Sequence, residues 1–191
     1  MHIEFIFIKV GMMTRLLNHS TGLNQHRNTQ WTAAAPAMLI DHVLSRYHAV
    51  HRAQLPELIS LARQVEVVHN GDPSLPVGLA ALLQTIFKEL QLHMEKEEVI
   101  LFPMLQAGGT PFVCHPIAMM RSEHEEHLAS LDKLAALTHN ATPDPTACKT
   151  WRKLYSGIAQ FNDDLLDHID LENTLLFSQF EAPQQTHALP Q

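Results

Sequence analysis

Two stretches of this chain carry the same polar signature. Residues 93–102 read HMEKEEVILF and residues 168–177 read HIDLENTLLF, so that His93, Glu97, Leu101 and Phe102 recur 75 residues later as His168, Glu172, Leu176 and Phe177. In a helix, residues four apart share a face and lie about 6 Å apart along the axis. An imidazole and a carboxylate so placed reach one metal ion, or one ligates while the other bridges to a neighbouring ion. Histidine is the commonest metal ligand, and 14 of the 191 residues are histidine, more than packing asks for.

The surrounding residues say which way these groups point. His93 lies on one heptad line with Leu79, Ile86 and Ile100, and Glu97 continues the line of Leu83 and Leu90. His168 and Glu172 repeat this against Leu154, Phe161 and Leu175 and against Ile158 and Leu165. By periodicity these are core positions. Burying an unpaired carboxylate costs several kcal/mol or forces it neutral. A single i, i+4 His–Glu pair is common on a helix surface; two in matched register on apolar faces are explained most simply by a cation.

Four helical stretches must position them. The pattern predicts helices over about 38–69, 77–106, 116–138 and 146–180, separated by the NGDP turn at 70–73, Gly108-Gly109 and the NATPDP turn at 140–145. Along the first, Leu44, His51, Leu58 and Val65 are in register beside His48, Leu55 and Ala62. Pro56 is expected to kink that helix or interrupt its hydrogen-bond ladder. No stretch alternates like a strand. The expected fold is all-α, an antiparallel up-down-up-down four-helix bundle.

A bundle closed around a metal needs donors from the other two helices. The first offers His48 and His51, which periodicity does not separate; the third offers His124 and His127, with His124 in register with Ile117 and Leu131. One histidine per helix plus Glu97 and Glu172 makes four imidazoles and two carboxylates. That is too rich for one zinc ion with its usual four ligands and suits a pair of ions sharing bridging carboxylates. Imidazole with carboxylate admits iron, manganese or zinc; spacing does not choose among them.

Composition narrows the rest. Thirteen basic against twenty acidic side chains give a net charge of −7, which argues against a nucleic-acid partner, and no apolar run is long enough to span a membrane. Cys114 and Cys148 stand far apart, excluding a disulfide framework, a zinc ribbon or a CxxC pair. Residues 1–36 contain a short apolar run, IEFIFIKV, then a polar Asn/Thr-rich piece. They are expected to form a poorly ordered extension without the features of a secretory signal. The expected domain is 37–182, followed by a tail at 183–191, and the expected location is the cytoplasm.

From about Ile40 to Phe180 the chain resembles the hemerythrin-like domain of the iron–sulfur cluster repair di-iron proteins, the repair-of-iron-centres family. The resemblance is carried by RYHAVHRAQLPEL, HMEKEEVILFP, SEHEEH and LLDHIDLENTLLF. It implies two iron ions bridged by an oxo or hydroxo group, with ligands at His48, His93, His124 and His168 and bridging carboxylates at Glu97 and Glu172. It thereby favours His48 over His51. His69 also matches a family histidine, but it lies roughly 31 Å along a straight helix from His48 and is left out of the ligand set. Glu89 and Glu123 match acidic positions of the family. One departure stands out: family members usually begin with a small domain bearing adjacent cysteines, and residues 1–36 contain none.

The function implied is repair of iron–sulfur clusters damaged by nitric oxide or peroxide, by giving iron to client iron–sulfur proteins or by handling nitric oxide. A reversible dioxygen or nitric oxide binding module is the second reading. A nitric oxide reductase or peroxidase is the third, and it needs an external reductant.

Overall fold

The computed structural model describes residue 31 and residues 34–109 and 112–181. The rest of the expected N-terminal extension and the tail at 183–191 lie outside the described residues. Trp31 is half-buried, with its ring 4.6 Å from that of His42.

Four long helices form where the apolar periodicity places them. Helix α1 (residues 36–68) consists of Pro36–His42, a π-helical turn Val43–His48, and Ala49–Val68. Pro36 opens it, where a missing N–H costs nothing. Helix α2 (residues 79–106) runs through Leu79–Lys96, a π-helical turn Glu97–Leu101, and Phe102–Gln106. Helix α3 is Cys114–Leu137. Helix α4 (residues 149–179) comprises Lys149–Leu171, a third π-helical turn Glu172–Leu176, and a closing 3-10 turn Phe177–Gln179. Helix α2 stops at Gly108 and Gly109, both at positive φ, and the Gly109 N–H donates to the Met104 carbonyl at 3.0 Å. A Cβ at Gly109 would also lie 2.9 Å from the Phe180 ring, so close packing and the left-handed turn both call for glycine.

Helix α1 packs on α2 and α4, and α3 packs on the same two, closing a ring of four. Two apolar clusters fill it. The larger holds Leu55, Leu58, Leu83, Leu90, Leu131, Leu154 and Phe161; the smaller holds Leu39, Val43, Leu101, Ile117, Leu176 and Phe177. Helices α1 and α3 run from the smaller cluster into the larger, and α2 and α4 run back. The bundle is therefore antiparallel between neighbours, the up-down-up-down arrangement expected.

The heptad lines fail locally for one reason. A π-helical turn takes in an extra residue, so a line of side chains crossing it slips by one position. Ile100, expected inward, is 53% exposed, while Leu101 is 1% exposed. In the same way Leu176 replaces Leu175 in the core of α4, and Val43 replaces Leu44 in α1. Pro56, by contrast, does not interrupt Ala49–Val68. It sits on the exposed face, where the carbonyl its ring frees can bond to water.

Where α1 crosses α4, Gly157 takes the place of a side chain: a Cβ there would stand 2.6 Å from Leu58 Cδ2. Elsewhere in a helix, glycine to alanine gains about 1 kcal/mol, but overpacking costs about 1–3 kcal/mol. Gly157→Ala is therefore expected to lower stability by about 1 kcal/mol in chemical denaturation. A higher midpoint would mean that Leu58 moves aside freely.

Candidate metal centre

A polar layer separates the two apolar clusters. Helix α1 crosses it at His48, α2 at His93 and Glu97, α3 at His124, and α4 at His168 and Glu172. All six side chains are buried, none more than 1% exposed. Two of the π-helical turns begin at Glu97 and Glu172 and the third ends at His48, so each irregular turn sets the direction of a polar group at the centre.

The six residues form two overlapping donor groups. His48, Glu97, His168 and Glu172 each present one atom within 4.8 Å of the others, and so do His93, Glu97, His124 and Glu172. Glu97 and Glu172 belong to both. His48 Nε2 is 3.4 Å from Glu97 Oε2 and His93 Nε2 is 3.4 Å from Glu97 Oε1. His168 Nε2 and His124 Nε2 are each 3.2 Å from a different oxygen of Glu172. Each carboxylate thus turns one oxygen towards each group.

The outer ring nitrogens fix what the inner ones can do. His93 Nδ1 lies 3.0 Å from Glu123 Oε2, and His124 Nδ1 lies 3.1 Å from Asn173 Oδ1. Both oxygens accept, so both Nδ1 atoms carry the proton and both Nε2 atoms present lone pairs. Those lone pairs face each other at 3.0 Å, with glutamate oxygens beside them. His48 repeats the pattern, its Nδ1 2.7 Å from Glu98 Oε1. Converging lone pairs without a proton between them repel, and a cation among them turns the repulsion into attraction. Both oxygens of Glu97 and of Glu172 are also buried without a hydrogen-bonding partner among the described residues. The donor set therefore fits metal ions, and an outer hydrogen bond to each ligating imidazole is the usual support of such a site.

Electrostatics agree. Burial and the adjacent Glu172 push the Glu97 carboxyl well above its ordinary range. Burial pushes Glu172 up too, but the neighbouring His168 and His124 rings outweigh it and hold that carboxyl well down. Without a cation the two buried carboxylates share a burden that only one can carry ionised. Two of the imidazoles are ready as neutral ligands: burial, with His168 second, lowers His48 to about 4, and burial with His124 lowers His93 further.

The remaining sequence candidates fall outside both groups. His51 and His127 are buried against them, their rings 5.5 Å from His168 and 4.8 Å from His93. Burial lowers them to about 2 and about 3. His69 stands apart, its Nε2 3.3 Å from Cys148 Sγ and its ring 5.0 Å from Trp151. Glu89 is exposed. Glu123, half-buried, holds His93 and pairs with Lys96.

Sequence reading missed Glu98 and Asn173, although the repeat contained them: each follows a central glutamate, and each accepts from a histidine of the neighbouring helix. Arg52 Nη1 sits 2.8 Å from Glu98 Oε1. Partial burial opposes the Glu98 charge, but Arg52 and His48 outweigh it and hold the carboxyl below its ordinary range. Glu98→Gln is expected to leave the fold intact and to weaken metal binding roughly 10–100-fold, read from competition with a metal-sensitive dye. Unchanged affinity would show that His48 needs no outer partner.

Comparison with known proteins agrees with this geometry. The hemerythrin HHE cation binding domain matches residues 39–180. The chain is 44% identical over 163 residues to a probable iron–sulfur cluster repair protein of Haemophilus influenzae, covering 85% of this chain and 73% of the relative. It is 50% identical over 147 residues to the iron–sulfur cluster repair protein YtfE of Escherichia coli O157:H7, covering 77% of this chain and 67% of the relative. The YtfE of Escherichia coli K12 strain DH10B is 49% identical over the same length. With that match over most of its length, and with two buried His–Glu donor groups at the bundle's waist, the chain belongs to the hemerythrin HHE cation binding family.

Proposed function

We propose that this protein holds two iron ions between its four helices and serves in the repair of iron–sulfur clusters damaged by nitric oxide or peroxide. One observation carries the reading: two donor groups, each with two imidazoles, share both Glu97 and Glu172. Shared carboxylates hold two ions a bridge apart, and the names of the similar proteins from Haemophilus influenzae and Escherichia coli supply the repair role. Proposed ligands are His48 and His168 to one ion, His93 and His124 to the other, with Glu97 and Glu172 bridging.

When bound, the iron pair supplies open coordination positions for small molecules and a store of iron for damaged clusters. The protein's part is to hold four imidazoles and two carboxylates ready. Glu98, Glu123 and Asn173 fix three rings with Nε2 inward, and the two apolar clusters keep bulk water away. The same residues would set how readily iron passes to client iron–sulfur proteins. Two imidazoles on each side favour this reading over a pure gas carrier, for which unequal histidine numbers are expected. Among the described residues no helix is long and apolar enough to cross a membrane, and the proposed location is the cytoplasm.

Metal analysis on the wild type and on Glu97→Ala and Glu172→Ala tests the centre. About two irons per chain, a near-ultraviolet oxo-bridge absorption, and loss of both in the variants are expected. Iron-loaded protein should then restore activity to an iron-depleted iron–sulfur enzyme, and the variants should not. One zinc per chain, or no metal with unchanged folding of the variants, would sink the di-iron reading.

A further inference from the structure

The bundle is two similar halves. Residues of α1 and α2 that face the centre have counterparts in α3 and α4: His48 and His51 answer to His124 and His127, and His93, Glu97 and Glu98 answer to His168, Glu172 and Asn173. Hydrogen bonds follow the same rule. Glu98 reaches from α2 to His48 of α1, and Asn173 reaches from α4 to His124 of α3.

The acceptor differs in kind, a carboxylate at Glu98 and an amide at Asn173, and at one place the correspondence breaks altogether. The residue before His124 is Glu123, which accepts from His93 Nδ1 at 3.0 Å. The residue before His48 is Tyr47, which instead stacks on His168, ring centroids 5.1 Å apart and planes 9° from parallel. His168 Nδ1 is consequently buried with no hydrogen-bonding partner among the described residues. Both bridging carboxylates are common to the two donor groups, so the groups differ only through their imidazoles. One group has His93 backed by a carboxylate and His124 by an amide. The other has His48 backed by a carboxylate that Arg52 also engages, and His168 backed by an aromatic face. An imidazole without an outer acceptor is a weaker donor at Nε2 and is less firmly aimed.

Charge makes the inequality matter. One divalent cation neutralises the two buried carboxylates, and a second leaves the layer positive unless a further anion joins it. The first ion to leave is therefore released more easily than the last, whichever it is. The outer partners decide which. Beside His48, moreover, Glu98 and Arg52 line a surface groove of about 350 Å³ together with Leu44, Phe102 and Gln106, so solvent reaches the outer partner of this ligand.

We propose that the two metal positions are unequal by construction, the one formed by His48 and His168 being exchangeable and the one formed by His93 and His124 retained, with Tyr47 in place of a second Glu123 as the cause. This rests on the two-ion reading above and deepens it: the exchangeable position is the source of transferable iron, and the retained position keeps the site assembled.

Protein loaded anaerobically with ferrous iron and counted at two per chain is mixed with excess colorimetric ferrous chelator, and release is followed with time. Two equal phases are expected, separated by roughly tenfold or more. Asn173→Leu, which strips the partner from His124, should speed only the slow half roughly tenfold. Glu98→Gln should speed only the fast half. Melting curves of the metal-free variants should match wild type, since a purely structural role for either residue would move them. A single phase in wild type, or an effect of Asn173→Leu on the fast half alone, overturns the proposal while leaving the two-iron reading intact. Fewer than two irons at the outset overturns both.

Discussion

Everything in this bundle is arranged around two carboxylates held within 4.8 Å of each other inside a protein. Glu97 and Glu172 are completely buried, and among the described residues neither has the backbone N–H groups or arginine that usually make such burial tolerable. Two negative charges in a low-dielectric interior repel strongly and lose their hydration as well. A structure accepts this only where a positive charge of comparable size belongs between them. Three imidazoles aim lone pairs at the same place and His168 turns its Nε2 there as well, and lone pairs do not supply that charge. The layer is therefore unfavourable taken alone and favourable with metal ions, which would couple the stability of the fold to metal binding.

The apolar clusters on either side follow from this constraint. A polar layer across the middle of a bundle costs part of the core, and the flanking clusters make that up with large, fully buried side chains such as Phe161 and Trp151 on one side and Phe177 on the other. The three π-helical turns are the local counterpart. A regular helix would bring the residues beyond each glutamate inward on the wrong line. One extra residue per turn lets the central glutamate and the next apolar contact, Leu101 or Leu176, face inward together.

The near-twofold relation between the halves explains how so specific a site arises from so little sequence. One helix pair supplies a histidine, a His–Glu pair and an outer acceptor, and the other pair supplies the same set. Where the halves differ, at Tyr47 against Glu123 and at Glu98 against Asn173, they differ in what stands behind the inward-facing imidazoles. The primary set stays symmetric, and the tuning is carried one hydrogen bond further out.

The sequence by itself marked the helices, their order, and five of the six buried polar residues that meet at the centre, because each rests on a local regularity. Heptad spacing marks a helix face, and the His–Glu pairs, repeated 75 residues apart, mark two of those faces as polar at the same depth. Periodicity left His48 and His51 undivided, since both border the apolar stripe; the family resemblance separated them, and the geometry places His48 alone in a donor group. Three things only the tertiary structure decided. Ile100 faces outward because π-helical turns, driven by packing and by the needs of the centre, shift the register within a helix. Pro56 leaves α1 continuous because its ring happens to face solvent. Glu98, Asn173 and Glu123 act on histidines of neighbouring helices across 30 to 50 residues of chain, and no spacing rule within one helix reports a hydrogen bond that forms only when two helices meet.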